Sequence, residues 1–86
     1  MDRLTSLAVF VAAVEEGSFA AAARRFGLSP SMAGKHVSAV ETAVNARLLQ
    51  RSTRQLSLTD AGQVYYAHCK QILEAFDEAS RAAGDT

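Results

Sequence analysis

Eighty-six residues with nine basic and nine acidic side chains make one small domain of zero formal charge. A chain of this length buries roughly 60 to 65% of its unfolded surface, enough for a modest core but not for a core plus an enclosed substrate cavity, which disfavours an enzyme. Its one cysteine, Cys69, cannot close an intrachain disulfide, so a secreted scaffold is not indicated and a reducing cytoplasm is the expected setting.

From the N-terminus, Leu4, Leu7, Val11 and Val14, with Ala8 and Phe10 beside them, recur at helical spacing up to Gly17, which can end a helix. The apolar run follows Asp2-Arg3 with no net positive charge and is too short to span a bilayer, so it reads as a core helix and not as a leader or a membrane anchor. Ser18 is placed to cap a second helix from about Phe19 to Phe26, whose alanine-rich middle lets another helix pack close, and Gly27 sits where that helix stops. Arg24 and Arg25 near its end suit either the helix C-terminus or a phosphate, and both readings stay open.

Two residues after Gly27 the chain starts a helix again. Ser29 is a good N-cap, and Pro30 takes the first helical position, where its fixed φ fits and its missing N–H costs nothing. Ala33, Val37, Val40 and Val44 then fall on one stripe, with Ser31, Gly34, Lys35 and Ser38 opposite. Two helices joined by so short a turn make a helix-turn-helix, and the polar, small-featured stripe of the second suits a groove of DNA.

After Val44, Asn45 is able to adopt a left-handed cap. Arg47 to Arg51 and Gln55 to Leu58 flank a polar Ser52-Thr53-Arg54 tip, with Leu56 and Leu58 alternating with Gln55 and Ser57, which predicts a small hairpin. Thr59 caps a final helix from Ala61 to about Ala83, roughly 33 Å long, and Gly62 in its first turn implies close approach by another backbone. So long a helix must partly project. Tyr65, Ile72, Phe76, Ala79 and Ala83 share one stripe, flanked by His68, Cys69 and Leu73, and an exposed apolar stripe asks for a partner. Tyr65, Cys69, Ile72, Phe76 and Ala79 are the expected contacts of a homodimer, although Tyr65 and Ile72 also suit the completion of the domain's own core.

The zero net charge hides an uneven distribution. From Arg24 to Arg54 stand six bases (Arg24, Arg25, Lys35, Arg47, Arg51, Arg54) against one acid, Glu41, while both flanks are net acidic. The excess coincides with the polar helix and the hairpin, as expected of a nucleic-acid surface. His36 and His68 are far apart, and His68 and Cys69, adjacent on a helix, point about 100° apart, so no metal site is expected and the histidines read as structural residues near a helix surface. Neither a Gly-rich phosphate loop nor a nucleophile elbow occurs, and no catalytic residue or cofactor is expected.

Leu7, Phe10 and Val14, Gly17-Ser18-Phe19, Ala21-Ala22-Ala23, Leu28-Ser29, Lys35, Glu41, Leu48, Arg51, Arg54 and Leu58-Thr59-x-Ala61-Gly62 stand in an order and at spacings that resemble the N-terminal DNA-binding domain of the LysR-type transcriptional regulators. The resemblance covers nearly the whole chain. It implies a mostly α fold: a winged helix-turn-helix, with a three-helix core and a small β-hairpin wing, over residues 1–59, then a long linker and dimerisation helix with a C-terminal tail over 60–86. It also implies sequence-specific binding of double-stranded operator or promoter DNA by a transcriptional regulator, with the helix at about 30–44 in the major groove and the wing on the backbone. The expected DNA-binding residues are Ser29, Pro30, Ser31, Gly34, Lys35, Ser38, Arg51, Arg54 and Thr59. Three positions depart from the family's habit: Asn45 replaces the usual Gly, Leu49 the commoner Phe, and Gly34 the commoner Ser. A complete regulator of this kind continues into an effector-binding domain. The alternative is a winged helix used only for dimerisation or protein interaction, without specific DNA binding.

Overall fold

Each helix of this chain begins on a polar side chain that accepts a backbone N–H, and the first three end on a residue held at positive φ. The computed structural model describes residues 2–52 and 55–86, in the order α1 (Arg3–Glu16), α2 (Phe19–Phe26), α3 (Pro30–Val44), β1 (Leu49–Arg51), β2 (Leu56–Leu58) and α4 (Asp60–Gly84). Ser18 accepts from Ala21, Ser29 from Met32 and Thr59 from Gly62, so the three caps expected from sequence are made; a fourth, Asp2 accepting from Thr5, starts α1. Gly17, Gly27 and Asn45 close α1, α2 and α3 at φ 79°, 66° and 56°. Asn thus does the work of glycine after α3, where its amide N–H reaches the Thr42 carbonyl.

The core is built on α1. Val9, Phe10, Ala12 and Ala13 are fully buried, and Ala22 and Ala23 of α2 and Ala33, Val37 and Val40 of α3 close over them. Alanine at these crossing points lets the backbones approach, while Phe10 supplies the bulk and meets the Tyr65 ring of α4 with centroids 5.7 Å apart. Val44, expected on the buried stripe, is 37% exposed, because it lies in the last turn of α3, past the reach of α1. His36 takes the inward position instead. It is 7% exposed, deeper than a surface histidine, and its Nδ1 lies 2.8 Å from Ser6 Oγ on α1. The Ser6 hydroxyl also reaches the Asp2 carbonyl, at 3.1 Å.

The two strands pair antiparallel in the register Leu49 with Leu58, Gln50 with Ser57 and Arg51 with Leu56. They are shorter than the segments read from sequence. Leu48 still accepts the N–H of Thr59, which stands opposite it in this register, but its own N–H goes to Glu41 Oε2 and not back to Thr59, while the Arg47 carbonyl is taken by Thr59 Oγ1. The Leu56 N–H reaches the Gly17 carbonyl, which fastens the hairpin to the turn between α1 and α2. Thr53 and Arg54, including the expected DNA contact at Arg54, lie outside the described residues.

Helix α4 starts inside the body and leaves it, giving a molecule 48 × 26 × 21 Å. Its first turns complete the core: Gly62 and Cys69 are buried, and Tyr65, Tyr66 and Leu73 pack against the core in part. Cys69, expected on the dimer stripe, therefore sits wholly within its own domain, where no partner chain can touch it; Tyr65 is also committed inward, through Phe10. Beyond them, Ile72 and Phe76 remain 46% and 53% exposed. Glu15 of α1 secures the base of α4, accepting from Lys70 Nζ at 3.0 Å and Tyr66 Oη at 3.2 Å, while Arg25 of α2 reaches its other oxygen at 3.4 Å. The hydrogen bond from Lys70 holds the Glu15 carboxyl below its ordinary value. These exposed pairs contribute little energy, about 0 to 1 kcal/mol each, but they fix an orientation.

Gly62 is the tightest point of the fold. A β-carbon there would run into the Leu48 carbonyl oxygen and crowd Leu58 Cδ2. Gly62→Ala is expected to lower stability by about 1 to 3 kcal/mol, the cost of overpacking, despite alanine's better helix propensity; a thermal melt at or above the parent's would show that the two backbones are not in this contact. Burial pushes the Cys69 thiol up to about 11. At pH 8 a thiol-specific chromogenic reagent should therefore leave the folded chain unmodified and titrate one thiol only after denaturant is added.

Candidate nucleic-acid interface

The turn between α2 and α3 is made by three residues. Gly27 turns the chain left-handed, Leu28 N–H returns to the Ala23 carbonyl at 2.9 Å, and Ser29 caps α3 with its Oγ on the Met32 N–H at 3.1 Å. Pro30 follows at the first helical position and is exposed. Burial of Ala33, His36, Val37 and Val40 fixes the rotation of α3, leaving Ser31 and Lys35 exposed and Gly34 and Ser38 half-exposed on the side turned away from α1. Of the expected contact residues on α3, these four plus Pro30 share the accessible side, while Ser29 spends its hydroxyl on the cap.

Gly34 leaves open space above the helix backbone. A β-carbon there would meet only the Phe19 ring, at 4.0 Å, which is ordinary contact. The fold therefore does not demand glycine at this position, in contrast to Gly62.

The single acid of the basic stretch is spent internally. Glu41, half-buried on α3, accepts the Leu48 and Leu49 N–H groups on Oε2 at 2.8 and 3.2 Å, and Arg51 Nη2 meets its Oε1 at 3.2 Å. Backbone amides left unpaired by the chain's turn into β1 are satisfied this way, each charge-assisted bond contributing about 1.5 to 3 kcal/mol. Arg51 makes two further contacts. Its Nη2 donates to Ser38 Oγ at 3.2 Å, and its guanidinium carbon stands 5.3 Å from the centroid of the Phe19 ring. Sequence reasoning placed Arg51 and Ser38 separately on the DNA side; the structure joins them to each other. The sequence marks Glu41 as the lone acid amid six bases and as part of the family resemblance, and neither signals that it accepts backbone amides.

Thr59, the last expected contact, holds the far end of the hairpin. Its Oγ1 donates to the Arg47 carbonyl at 2.6 Å and accepts from Gly62 N–H at 2.9 Å. Of the two arginines of α2, Arg25 faces the acids that end α1, at 3.4 Å from Glu15 and 3.5 Å from Glu16, and Arg24 is exposed. Among the described residues no cluster of His, Cys, Asp and Glu is arranged to hold a metal ion, and no helix is long and apolar enough to cross a membrane.

Comparison with known proteins places this geometry. The family described as bacterial regulatory helix-turn-helix protein, lysR family, matches residues 4–63. The chain is 45% identical over 84 residues to a probable HTH-type transcriptional regulator, LtrA, of Klebsiella pneumoniae, covering 98% of this chain and 27% of that protein. It is 45% identical over 73 residues to the HTH-type transcriptional activator AaeR of Escherichia coli K12, covering 85% of this chain and 24% of the relative. A transcriptional repressor of Pseudomonas aeruginosa is 44% identical over 78 residues, 91% of this chain and 25% of that protein. The chain thus spans about a quarter of the length of the curated relatives it matches. Among solved structures it resembles the DNA-binding domain of CbnR in a DNA complex, with a TM-score of 0.86 at 34% identity and coverage of 98% and 99% of the two chains. The BenM DNA-binding domain on its catB site 1 DNA gives 0.91 at 27% identity, covering 99% and 93%.

Proposed function

The chain belongs to the lysR family of bacterial regulatory helix-turn-helix proteins, and from that membership we propose that it is the sequence-specific, double-stranded-DNA-binding module of a transcription regulator. The observation that carries the proposal is the accessible stripe of α3: a side chain of modest size at Ser31, bare backbone at Gly34, a flexible cation at Lys35 and a hydroxyl at Ser38, on a helix whose other side is locked to α1. An α-helix fits the major groove of B-DNA, and such a stripe offers donors to base-edge acceptors and to phosphates without bulk that would hold the backbone away. Pro30 and the N-terminus of α3 add a positive helix end. The similar DNA-binding domains of CbnR and BenM, solved in complexes with DNA, support DNA as the partner.

Residues 1–59 serve as the DNA-binding body and 60–86 as the linker and dimerisation helix, whose first turns also close the body's core. The partner proposed for the outer part of α4 is a second copy of the chain, through Ile72, Phe76 and Ala79, which would set two α3 helices on successive turns of the duplex. The proposal assigns the chain no catalytic step or cofactor, in keeping with relatives that are transcriptional regulators, and places it in the cytoplasm with the DNA it would read. A band-shift titration against the promoter region neighbouring the gene, at several salt concentrations, tests it: binding that strengthens as salt falls and exceeds that of a scrambled duplex is expected, and the absence of any shift at low salt would refute it.

Two substitutions separate helix propensity from groove fit. Gly34→Ala should stabilise the domain by up to about 1 kcal/mol, raising the melting temperature by a few degrees, while weakening binding to the preferred duplex. Lys35→Ala should leave the melting temperature nearly unchanged and reduce the preference for that duplex. Affinity rising together with stability in Gly34→Ala would mean that nothing approaches the backbone at this position. Phe76→Asp should convert a dimer to a monomer in sedimentation equilibrium; a variant that keeps the dimeric mass would exclude this stripe as the interface.

A further inference from the structure

Resting on the DNA-binding reading above, we propose that Arg51 is a positioning residue, not a phosphate contact: it braces the wing against the recognition helix and presents the Ser38 hydroxyl to DNA as a donor. A guanidinium at the rim of a DNA-binding surface ordinarily invites assignment to the backbone. This one already has three partners. Its Nη2 is shared between Glu41 Oε1 and Ser38 Oγ, both at 3.2 Å, and its guanidinium carbon stands 5.3 Å from the centroid of the Phe19 ring. These partners lie on α2 and α3, and Arg51 itself ends β1, so one side chain joins the three elements that frame the site. Arginine suits the task because its planar fork directs several N–H groups at fixed angles and stacks on a ring at the same time, which an ammonium cannot do.

Two consequences follow for DNA. First, the positive charge of Arg51 is matched by Glu41, whose other oxygen is held by the Leu48 and Leu49 amides, so the pair presents almost no net charge to a phosphate. Removing Arg51 would leave the mostly buried Glu41 carboxylate without its cation and the wing without its tie to α3, a loss of geometry more than of charge at the surface. Second, Ser38 accepts from Arg51, which orients its oxygen toward the wing and leaves its own hydrogen to be donated on the accessible stripe of α3. With one of its two lone pairs taken, the hydroxyl offers its hydrogen and a single remaining lone pair, and so favours acceptor edges of the bases over donor edges.

The phosphate and brace roles differ in what they do to salt dependence and to preference. A lost phosphate contact weakens all duplexes alike and lowers the slope of log K against log salt by about one unit, and lysine in its place restores most of the effect. The experiment uses the 86-residue chain with a duplex it selects from a randomised pool and a scrambled duplex of the same composition. Arg51→Lys, Arg51→Ala and Ser38→Ala are titrated at four salt concentrations, with circular dichroism melts alongside. Expected is a loss of preference for the selected duplex, on the order of tenfold for both Arg51 variants and smaller for Ser38→Ala, with lysine failing to rescue and the slope of Arg51→Lys unchanged. Arg51→Lys carries the test even if Arg51→Ala does not fold. Rescue by lysine, or an equal weakening on both duplexes with the slope reduced by about one in Arg51→Ala, would overturn the brace and return Arg51 to the phosphates. If the parent chain itself selects no duplex, it is the DNA-binding reading that fails, and that outcome is visible before any variant is made.

Discussion

The carboxylate of Glu41 is the point on which the geometry of the DNA-facing side depends. The chain must leave the last turn of α3 and enter β1 within a few residues, and the amides of Leu48 and Leu49 then point into the body with no strand or helix partner. One acid on α3 accepts both. Without it, two buried donors would go unpaired at a cost of about 1 to 3 kcal/mol each, and the root of the wing would have no fixed relation to the helix it accompanies. Because the same carboxylate also meets Arg51, the wing strand is bound at its start through the backbone and at its end through a side chain.

A similar economy explains how a chain of zero net charge can carry a basic surface. The acids fall into separate roles by position. Glu41 is spent on amides and on Arg51, Glu15 on Lys70, Tyr66 and Arg25, and Asp2 on the N-terminus of α1. The acids of the outer part of α4, Glu74, Asp77 and Glu78, are exposed on a helix that runs away from the body. Lys35 and Arg24 stay exposed on α3 and α2. Net charge over the whole chain is therefore a poor guide to partner type here, while charge resolved by element is a good one.

The helices and their ends were legible because each is marked by local chemistry: Ser18, Ser29 and Thr59 at the starts, Gly17 and Gly27 at the stops, and Pro30 at the first turn of α3. Asn45 was legible too, since only a short list of residues tolerates a left-handed cap. The close approach at Gly62 was readable as a glycine in a place where a helix would prefer alanine, though not its partner, the Leu48 carbonyl, because a contact between distant backbones leaves no periodic trace. For the same reason the His36 and Ser6 pair was missed. Helical spacing sets His36 about 40° from Val40, at the flank of the apolar stripe, but nothing local shows that Ser6 of α1 lies opposite it. The strand limits come out short because the Glu41 carboxylate takes the Leu48 amide and the Thr59 hydroxyl takes the Arg47 carbonyl, and pattern alone does not show which side chain competes for a backbone group. On α4, the stripe read as uniform divides physically into an inner part, Tyr65 and Cys69, and an outer part from Ile72 onward, at the edge of the body.

The contact of Gly62 with the Leu48 carbonyl has a mechanical side. It sits at the base of α4, a rod about 37 Å long by its rise per residue, and at the root of the wing. Thr59 bonds to Arg47 through its hydroxyl and to Leu48 through its N–H across the same joint, so rod and wing meet without a long flexible side chain between them. The direction in which the rod leaves the body and the set of the hairpin are therefore decided together, at one joint.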